Sequence, residues 1–389
     1  MDFRFSEEEE AFRKEVRDFL RKEWTLADYD LDTPEHWNAA KELEKKLGAK
    51  GWLCMAWPKE YGGLGASHMH QLVFQEEMAS AHAPILDGQG VYMVGPCLMF
   101  QGTEEQRQRF LPPIAHSEVV WVQGFSEPNA GSDLASLQTR AVVDGDDYVV
   151  NGQKTWTTRA HRGDWIHLMV RTDPKAPKHR GISYLLVDMR SPGISINPIV
   201  NMTGRADYYE VYFDSVRVPK SNRVGQENQG WYVALTTLAF ERSAIGAYVA
   251  QTRQVLQDLV QFARETKRNG QSLIEDPLIG GKLAELTIEI EVAQLLSHRI
   301  VWMASRGLMP NYEASVAKTF TTELQQRIAN FGMHLLGLYG QLAEGSKWAA
   351  LEGLIQFQYL WTVGVTIYAG SNEIQRNIIA TRGLDLPRG

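Results

Sequence analysis

Cysteine is scarce in this sequence, and long apolar runs are missing. Only Cys54 and Cys97 occur among 389 residues, which excludes a disulfide framework and a thiolate metal cage. No apolar run approaches the roughly 18 residues that a membrane-spanning helix needs. Four consecutive glutamates from position 7 occupy the place where a signal peptide has its apolar core. We therefore expect a cytoplasmic protein in a reducing compartment.

An excess of positive charge is also missing. Lysine and arginine number 40 against 47 aspartates and glutamates, which gives a formal net charge of −7. Without a basic stripe, electrostatic attraction gives no support to nucleic-acid binding. The composition is 44% hydrophobic and 22% charged, as in folded globular proteins. This length predicts two or three domains.

Several catalytic signatures do not occur. The sequence has no G-x-S-x-G, H-E-x-x-H, Walker loop or C-x-x-C. Its ten histidines are scattered without ligand spacing, so a metal site is not expected. Gly88, Gly90 and Gly95 follow no predicted strand and lack the spacing of a dinucleotide fingerprint. The chemistry must therefore come from other motifs.

Residues 1–118 show helical periodicity and predict a helical N-terminal domain. Ser6 and Glu9 form a capping box before an amphipathic run. Thr33 and Pro34 open a second helix. Helical patterns resume at 69–81 and 104–114.

After position 119 the pattern changes to that of short strands. The runs 137–143 and 148–156 flank Asp-Gly-Asp-Asp at 144–147, which predicts a hairpin. Further strand-like runs lie at 165–171, 182–187, 194–199 and 210–213. We predict an antiparallel β domain over 119–225.

Strand signals end near Gly230. Long helical runs follow at 231–266, 277–306 and 312–338, with shorter ones after them. This pattern predicts a C-terminal helical bundle of four-helix type over 226–389.

Three segments carry a resemblance to a known family. They are GFSEPNAGSD at 124–133, GQKTWTT at 152–158 and IYAGSNEIQR at 367–376. In this order and at this spacing, the chain resembles the acyl-CoA dehydrogenase family from end to end. The resemblance implies an α+β multi-domain fold with a helical N-terminal domain, a central antiparallel β-barrel and a C-terminal four-helix bundle. It also implies that FAD and an acyl thioester meet where the three domains join.

The resemblance assigns roles to residues of the three motifs. Ser126 would contact the flavin, Trp156 would stack on it, and Thr158 would bond its edge. Because Trp156 and Thr158 are two residues apart on a strand, both face the same way. The alternative is a core tryptophan beside a strand threonine.

Further cofactor and substrate contacts follow from the same resemblance. Ser371 and Glu373 lie at a predicted helix N-terminus, which suits the phosphate and ribityl region of FAD. Ser132 would contact the CoA portion of the substrate. Asp87 and Gln89 fall in a pocket-lining region and favour a polar, branched or cyclic acyl group. The alternative for these two is the exposed face of a helix.

The base needs separate consideration, because Ala369 occupies the position where many family members carry glutamate. Alanine accepts no proton, although its backbone N–H remains available to polarise the thioester carbonyl. A second family solution places the base on a bundle helix before an arginine, which matches Glu241 and Arg242. Glu241 falls inside an apolar helical stripe, so burial is expected to raise its pKa. The alternative for Glu241 is a structural ion pair, and Arg242 is predicted to bind substrate.

These assignments predict flavin-dependent α,β-dehydrogenation of an acyl-CoA to its 2-enoyl form. Glu241 would take the α-proton, FAD N5 would take the β-hydride, and electrons would pass to an electron-transfer flavoprotein. An acyl-CoA oxidase and a non-catalytic or half-site subunit remain alternatives.

The segments that bind the FAD adenine in the family have different residues in this sequence. The stretch TKRNG at 266–270 lacks the expected arginine and phenylalanine, and His334 stands where glutamine is usual. His334 is nevertheless the candidate cofactor contact there. Either the adenine end is held differently in a homotetramer, or a related subunit completes the site in a heteromer.

Overall fold

The computed structural model describes residues 4–26, 30–241, 245–308 and 310–387, without the side chains of 238–241, 245 and 247. The chain forms two compact units. The first comprises 1–27, 67–83 and 243–389, and the second comprises 28–66 and 84–242. Early helices are thus divided between the units, and the domain boundaries at 118 and 225 stay a prediction. None of the described helices is long and apolar enough to cross a membrane.

The predicted order of helices, strands and helices is confirmed. The helices are α1 (Glu7–Glu23), α2 (Pro34–Ala49), α3 (His68–Ser80), α4 (Gly95–Gln101), α5 (Glu104–Ala115), α6 (Gly230–Glu241), α7 (Ile245–Glu265), α8 (Pro277–Ser305), α9 (Tyr312–Leu336), α10 (Leu354–Val365) and α11 (Asn372–Ile378). The strands are β1 (Trp121–Gly124), β2 (Arg140–Asp144), β3 (Asp147–Thr158), β4 (Trp165–Arg171), β5 (Ile182–Asp188), β6 (Ile194–Ile199), β7 (Tyr208–Pro219), β8 (Arg223–Val224), β9 (Lys267–Arg268) and β10 (Gln271–Ser272).

The first unit is helical and contains α1, α3 and α7 to α11. Its core lies among α7, α8, α9 and α10. Each of these helices contributes a fully buried side chain to one cluster: Leu259, Leu286, Leu324 and Ile355. These positions fall on the apolar stripes from which the bundle was predicted. The capping box at Ser6 forms as expected and begins α1.

The second unit is built on one sheet. Its strands pair in the order β6-β7-β3-β2-β4-β5-β8, and β1 lies beside β4. The predicted hairpin is confirmed, with Asp144 opposite Asp147. Most pairs are antiparallel, but β1 and β2 each run parallel to β4. The β2–β3 hairpin lies between β1 and β4 in the chain, so β1 and β4 can enter the sheet from the same end.

Helix α6 packs against β5 and α4 within the second unit. It buries Val233, Ala234 and Thr237. A Cβ at Gly230 would lie 2.4 Å from the carbonyl carbon of Ser183, so only glycine allows the helix to begin this close to β5.

Candidate active site

The loop that follows β1 carries Ser126, which is half-buried. The carbonyl of Ser126 accepts the N–H of Thr155 at 2.9 Å. The hydroxyl of Thr157 donates to the carbonyl of Gln123 at 3.1 Å. These bonds fasten the loop to β3 on either side of Trp156. Further along the same loop, Ser132 is exposed.

Trp156 interrupts the regular pairing of β3. Its φ is +63°, and the register between β3 and β7 shifts between Lys154 and Thr157. The bulge leaves Trp156 57% exposed. Thr158 is exposed and Thr157 buried, so Trp156 and Thr158 lie on one face as their spacing predicts. The core-tryptophan alternative is therefore wrong.

A left-handed residue bears an energetic cost that surrounding contacts must offset. For a residue other than glycine that cost is about 1–3 kcal/mol, and such residues cluster at functional sites. Trp156 combines this cost with an exposed indole that meets the ring of Tyr208 edge to face, with 5.9 Å between the centroids. A large, exposed and strained aromatic on a strand is a candidate platform for a planar ligand.

The turn before α11 contains two successive left-handed residues, Ala369 at φ +52° and Gly370 at φ +80°. The Gln375 amide donates to both of their carbonyls at 3.2 Å. Ser371 is the N-cap of α11 and accepts the N–H of Ile374 at 3.4 Å. Ala369 itself is exposed. The turn is therefore fixed through its carbonyls.

Glu373 lies in the first turn of α11 and is exposed. Hydrogen bonds from its own backbone N–H and from the Ser371 hydroxyl lower the pKa of its carboxyl. An ionised carboxylate repels phosphate and accepts from hydroxyl or amine donors. Of the two groups predicted at this helix start, Glu373 thus fits the ribityl hydroxyls better than the phosphates.

Lys318 on α9 supports the start of α11. Its ammonium donates to Asn372 Oδ1 at 2.8 Å, and Asn372 Nδ2 donates to Glu323 at 3.1 Å. Burial lowers the pKa of Lys318 to about 8, while Glu373 and Glu323 act in the opposite direction. Asn372 is therefore the residue that fastens α11 to α9.

Asp87 is fully buried, so the exposed-helix alternative is wrong for this residue. Its Oδ1 accepts the N–H of Trp121 at 2.7 Å and that of Gly90 at 3.0 Å. Burial raises the pKa of its carboxyl well above the usual range, and the nearby Glu44 adds to the shift. A carboxyl that accepts hydrogen bonds from two backbone segments is suited to stabilising the fold and less suited to contacting substrate.

Gln89 lies at the end of a buried polar chain. Its Oε1 faces Nε2 of His167 at 3.3 Å, and Nδ1 of His167 faces the hydroxyl of Tyr184 at 2.6 Å. Burial lowers the pKa of His167 to about 3, so the ring is neutral. Nε2 must carry the proton to reach a carbonyl oxygen, and the Gln89 amide nitrogen is left to donate elsewhere. Half-buried Gln89 remains a predicted substrate contact.

The remaining predicted residues are less informative. Glu241 is the last residue of α6, but its side chain and the whole of Arg242 lie outside the described residues. His334 is exposed in the last turn of α9.

Comparison with known proteins covers nearly the whole chain. Residues 6–118 match the acyl-CoA dehydrogenase N-terminal domain, 123–216 its middle domain and 228–384 its C-terminal domain. The chain belongs to the acyl-CoA dehydrogenase family. It is therefore an oxidoreductase with the helical, sheet and helical domains of that family.

Curated relatives agree with this assignment. Acyl-CoA dehydrogenase IpdE1 of Mycobacterium tuberculosis is 39% identical over 357 residues, covering 91% of this chain and 90% of the relative. Acyl-CoA dehydrogenase FadE26 of the same organism is 37% identical, covering 100% of this chain and 99% of the relative.

Solved acyl-CoA dehydrogenase structures share the fold. A steroid acyl-CoA dehydrogenase, Tcur3481–Tcur3483, has a TM-score of 0.90 and 34% identity and covers 100% of both chains. The ChsE4–ChsE5 complex from Mycobacterium tuberculosis has a TM-score of 0.89 and 38% identity, again with 100% of both chains covered.

The three family motifs did not predict a group of buried charged residues in this acyl-CoA dehydrogenase. Lys154, Glu127 and Arg171 are all buried in the sheet unit. Glu127 lies in the 124–133 motif and Lys154 in the 152–158 motif, so their place in these motifs was the available signal. Arg171 lies at the end of β4 and outside the three motifs.

Proposed function

We propose that this chain binds FAD and oxidises an acyl-CoA thioester to the 2-enoyl-CoA. Family membership supports the reaction class. The observation that carries flavin binding is Trp156, which is 57% exposed and left-handed at φ +63° on one face with Thr158. When bound, FAD supplies the hydride acceptor at its N5.

The residues present fit the cofactor. Trp156 offers an exposed aromatic face, and Thr158 and Ser126 offer hydroxyls that accept or donate at a ring edge. Ser371 and Glu373 would hold ribityl hydroxyls from the start of α11. His334 would reach the adenine end.

Glu241 is the proposed base for the α-proton. Helix α6 buries Ala234 and Thr237, and position 241 follows Thr237 by one helical turn. A carboxyl on such a stripe is a suitable base because desolvation raises its pKa. The N–H of Ala369 would polarise the thioester carbonyl, which makes the α-proton more acidic. Ser132 would bind the CoA portion, and Arg242 would bind the substrate.

The proposed substrate class is a cyclic or branched acyl-CoA. One structural relative is titled a steroid acyl-CoA dehydrogenase, at 34% identity over the full chain. The amide nitrogen of Gln89 could donate to a polar substituent on such an acyl group, while its Oε1 faces His167. Electrons would pass from the flavin to an electron-transfer flavoprotein.

We propose that a related subunit completes the adenine end of the FAD site. Two solved relatives carry paired names, Tcur3481–Tcur3483 and ChsE4–ChsE5, and the second is titled a complex. His334 replaces the usual glutamine here, and the 266–270 stretch lacks the family residues. The chain expressed alone is expected to hold less than one FAD per chain. One tightly bound FAD per chain would instead support a homotetramer.

An anaerobic titration with a panel of acyl-CoAs tests the reaction. Straight, branched and polycyclic thioesters are added to purified holoprotein, with its partner subunit if one is needed, and the flavin absorption band is followed. Bleaching by a cyclic acyl-CoA is expected. No bleaching with any thioester would favour a non-catalytic subunit. Peroxide formed stoichiometrically in air would identify an oxidase.

Trp156→Gly tests the flavin contact. We expect FAD affinity to fall by about tenfold or more through the loss of stacking. The Tm of the apoprotein should not fall, because glycine relieves a left-handed cost of about 1–3 kcal/mol. Trp348→Gly is the control, since Trp348 is 64% exposed and outside the motifs. Unchanged affinity in Trp156→Gly would contradict the assignment.

A further inference from the structure

One buried ammonium contacts the residues on both sides of Ser126. Lys154 has no solvent exposure. Its Nζ donates to the carbonyl of Phe125 at 3.0 Å and to Glu127 Oε1 at 2.8 Å. The loop cannot shift at Ser126 without stretching one of these bonds.

The carboxylate of Glu127 extends this restraint to the far end of the loop. It accepts the N–H of Gln138 at 2.6 Å and that of Thr139 at 2.8 Å. Glu127 is thus bonded to the ammonium on β3 and to the two residues that lead into β2. The segment 125–139, which includes Ser132, is closed into a loop by one side chain.

Arg171 holds the same segment from β4. Its guanidinium donates to the carbonyl of Ala135 at 2.6 Å and to that of Leu137 at 3.3 Å. It also donates to the carbonyls of Lys178 and Arg180 at 3.1 and 3.2 Å. The N–H groups of Gln138 and Thr139 therefore donate to Glu127. The carbonyls of Ala135 and Leu137 accept from Arg171.

We propose that Lys154, Glu127 and Arg171 form a buried charge frame that positions Ser126 and Ser132 relative to each other. Ser126 is the proposed flavin contact and Ser132 the proposed CoA contact, so the inference rests on the proposed function. The three residues touch neither ligand in this scheme. They are positioning residues that set the spacing between the two binding hydroxyls.

The electrostatics of the charge frame favour a fixed geometry. Burial lowers the pKa of Lys154 to about 8, with Arg171 acting in the same direction and Glu127 against it. Burial also acts to raise the pKa of Glu127, but the ammonium of Lys154 and the hydrogen bonds outweigh it and hold the pKa low. A buried pair that loses one partner leaves the other charge uncompensated. Deprotonating Lys154 above about pH 8 should therefore loosen the loop.

Lys154→Met is the main test, in the protein assembled as for the titration. We expect the Kd for FAD, measured by quenching of flavin fluorescence, to rise by about tenfold or more, because the Ser126 loop loses both bonds to Lys154 and Glu127 is left as an uncompensated buried charge. The wild-type Kd should also rise as the pH passes 8, and this dependence should be lost in the variant. The matched control is Arg217→Met, which breaks exposed ion pairs with Asp144 and Asp147 in the same sheet.

Two further variants separate positioning from folding. Lys154→Met combined with Glu127→Gln removes both charges but keeps an oxygen acceptor for the N–H groups of Gln138 and Thr139. The Tm of the apoprotein should therefore recover in part while FAD binding stays weak. Arg171→Met should raise KM for acyl-CoA more than it lowers kcat, because it frees the part of the loop next to Ser132. Wild-type FAD affinity in the double variant, or equal effects of Lys154→Met and Arg217→Met, would overturn the charge frame. Failure of the wild type to bind FAD would instead refute the proposed function.

Discussion

Replacing Glu241 with glutamine is expected to abolish reduction of bound flavin by acyl-CoA. Glutamine keeps the size of the side chain but accepts no proton, and loss of a general base costs about 10²- to 10⁴-fold in rate. FAD should remain bound, because none of the proposed flavin contacts is altered. The rate of flavin bleaching after anaerobic mixing in a stopped-flow instrument measures the effect.

The control for this variant is Glu285→Gln on α8. Glu285 is exposed and pairs with Lys282 at 2.8 Å, so its loss should leave the bleaching rate unchanged. Both variants should bind FAD as the wild type does. If flavin in Glu241→Gln bleached at the wild-type rate, Glu241 would not be the base. That result would favour the alternative of a structural ion pair.

Local signals predicted the elements well. The runs 165–171 and 194–199 coincide with β4 and β6. The Asp-Gly-Asp-Asp turn joins β2 and β3 as predicted, and Thr33 caps α2. Turn chemistry, capping and periodicity act over a few residues, so the sequence carries them directly.

The bulge at Trp156 shows where periodicity stops being sufficient. An uninterrupted strand places Lys154, Trp156 and Thr158 on one face. In the structure Lys154 is fully buried and Trp156 is exposed, because the left-handed φ of Trp156 reverses the alternation. Nothing in the order of residues marks a tryptophan for this conformation. Periodicity therefore does not predict the burial of Lys154, one of the three residues of the charge frame.

Asp87 illustrates a second limit. A polar residue near glycines is predicted from sequence to lie on the surface or to line a pocket, yet Asp87 is fully buried. Its acceptor role depends on the N–H of Trp121, which is 34 positions away in the chain. Contacts of that range are set by packing, and the sequence of either segment alone does not contain them.

Asp87→Ala should be among the most destabilising substitutions in the sheet unit. The N–H groups of Trp121 and Gly90 would lose their shared acceptor inside the protein. Each buried donor left without a partner costs about 1–3 kcal/mol in the free energy of unfolding. Asp87→Asn keeps Oδ1 as an acceptor and should match wild-type stability near pH 4, where the carboxyl is protonated. The Tm of the apoprotein, measured by calorimetry, separates the two variants.

The pH dependence of stability distinguishes this carboxyl from an ordinary surface acid. Burial and the nearby Glu44 raise its folded pKa well above the ordinary range of an aspartate, while the N–H groups of Trp121 and Gly90 act in the opposite direction. The stability that the proton contributes is complete below about pH 4, the unfolded pKa, and is lost as the pH rises toward the raised folded pKa. Asp87→Asn carries no titrating proton there. Its Tm relative to wild type should therefore increase as the pH rises from about 4 toward the raised folded pKa of Asp87, and should level off above that pKa.

The control for this pH series is Ser195→Ala, at an exposed position of β6. This substitution changes no ionisable group, so its Tm difference from wild type should stay nearly constant over the same range. A residual slope in Asp87→Asn is expected from Glu44, which burial also shifts to a raised pKa. A constant Tm difference between Asp87→Asn and wild type would mean that Asp87 is ionised in the folded protein. The two backbone N–H groups would then stabilise a buried charge, and Asp87→Asn would lose more stability than the neutral acid predicts.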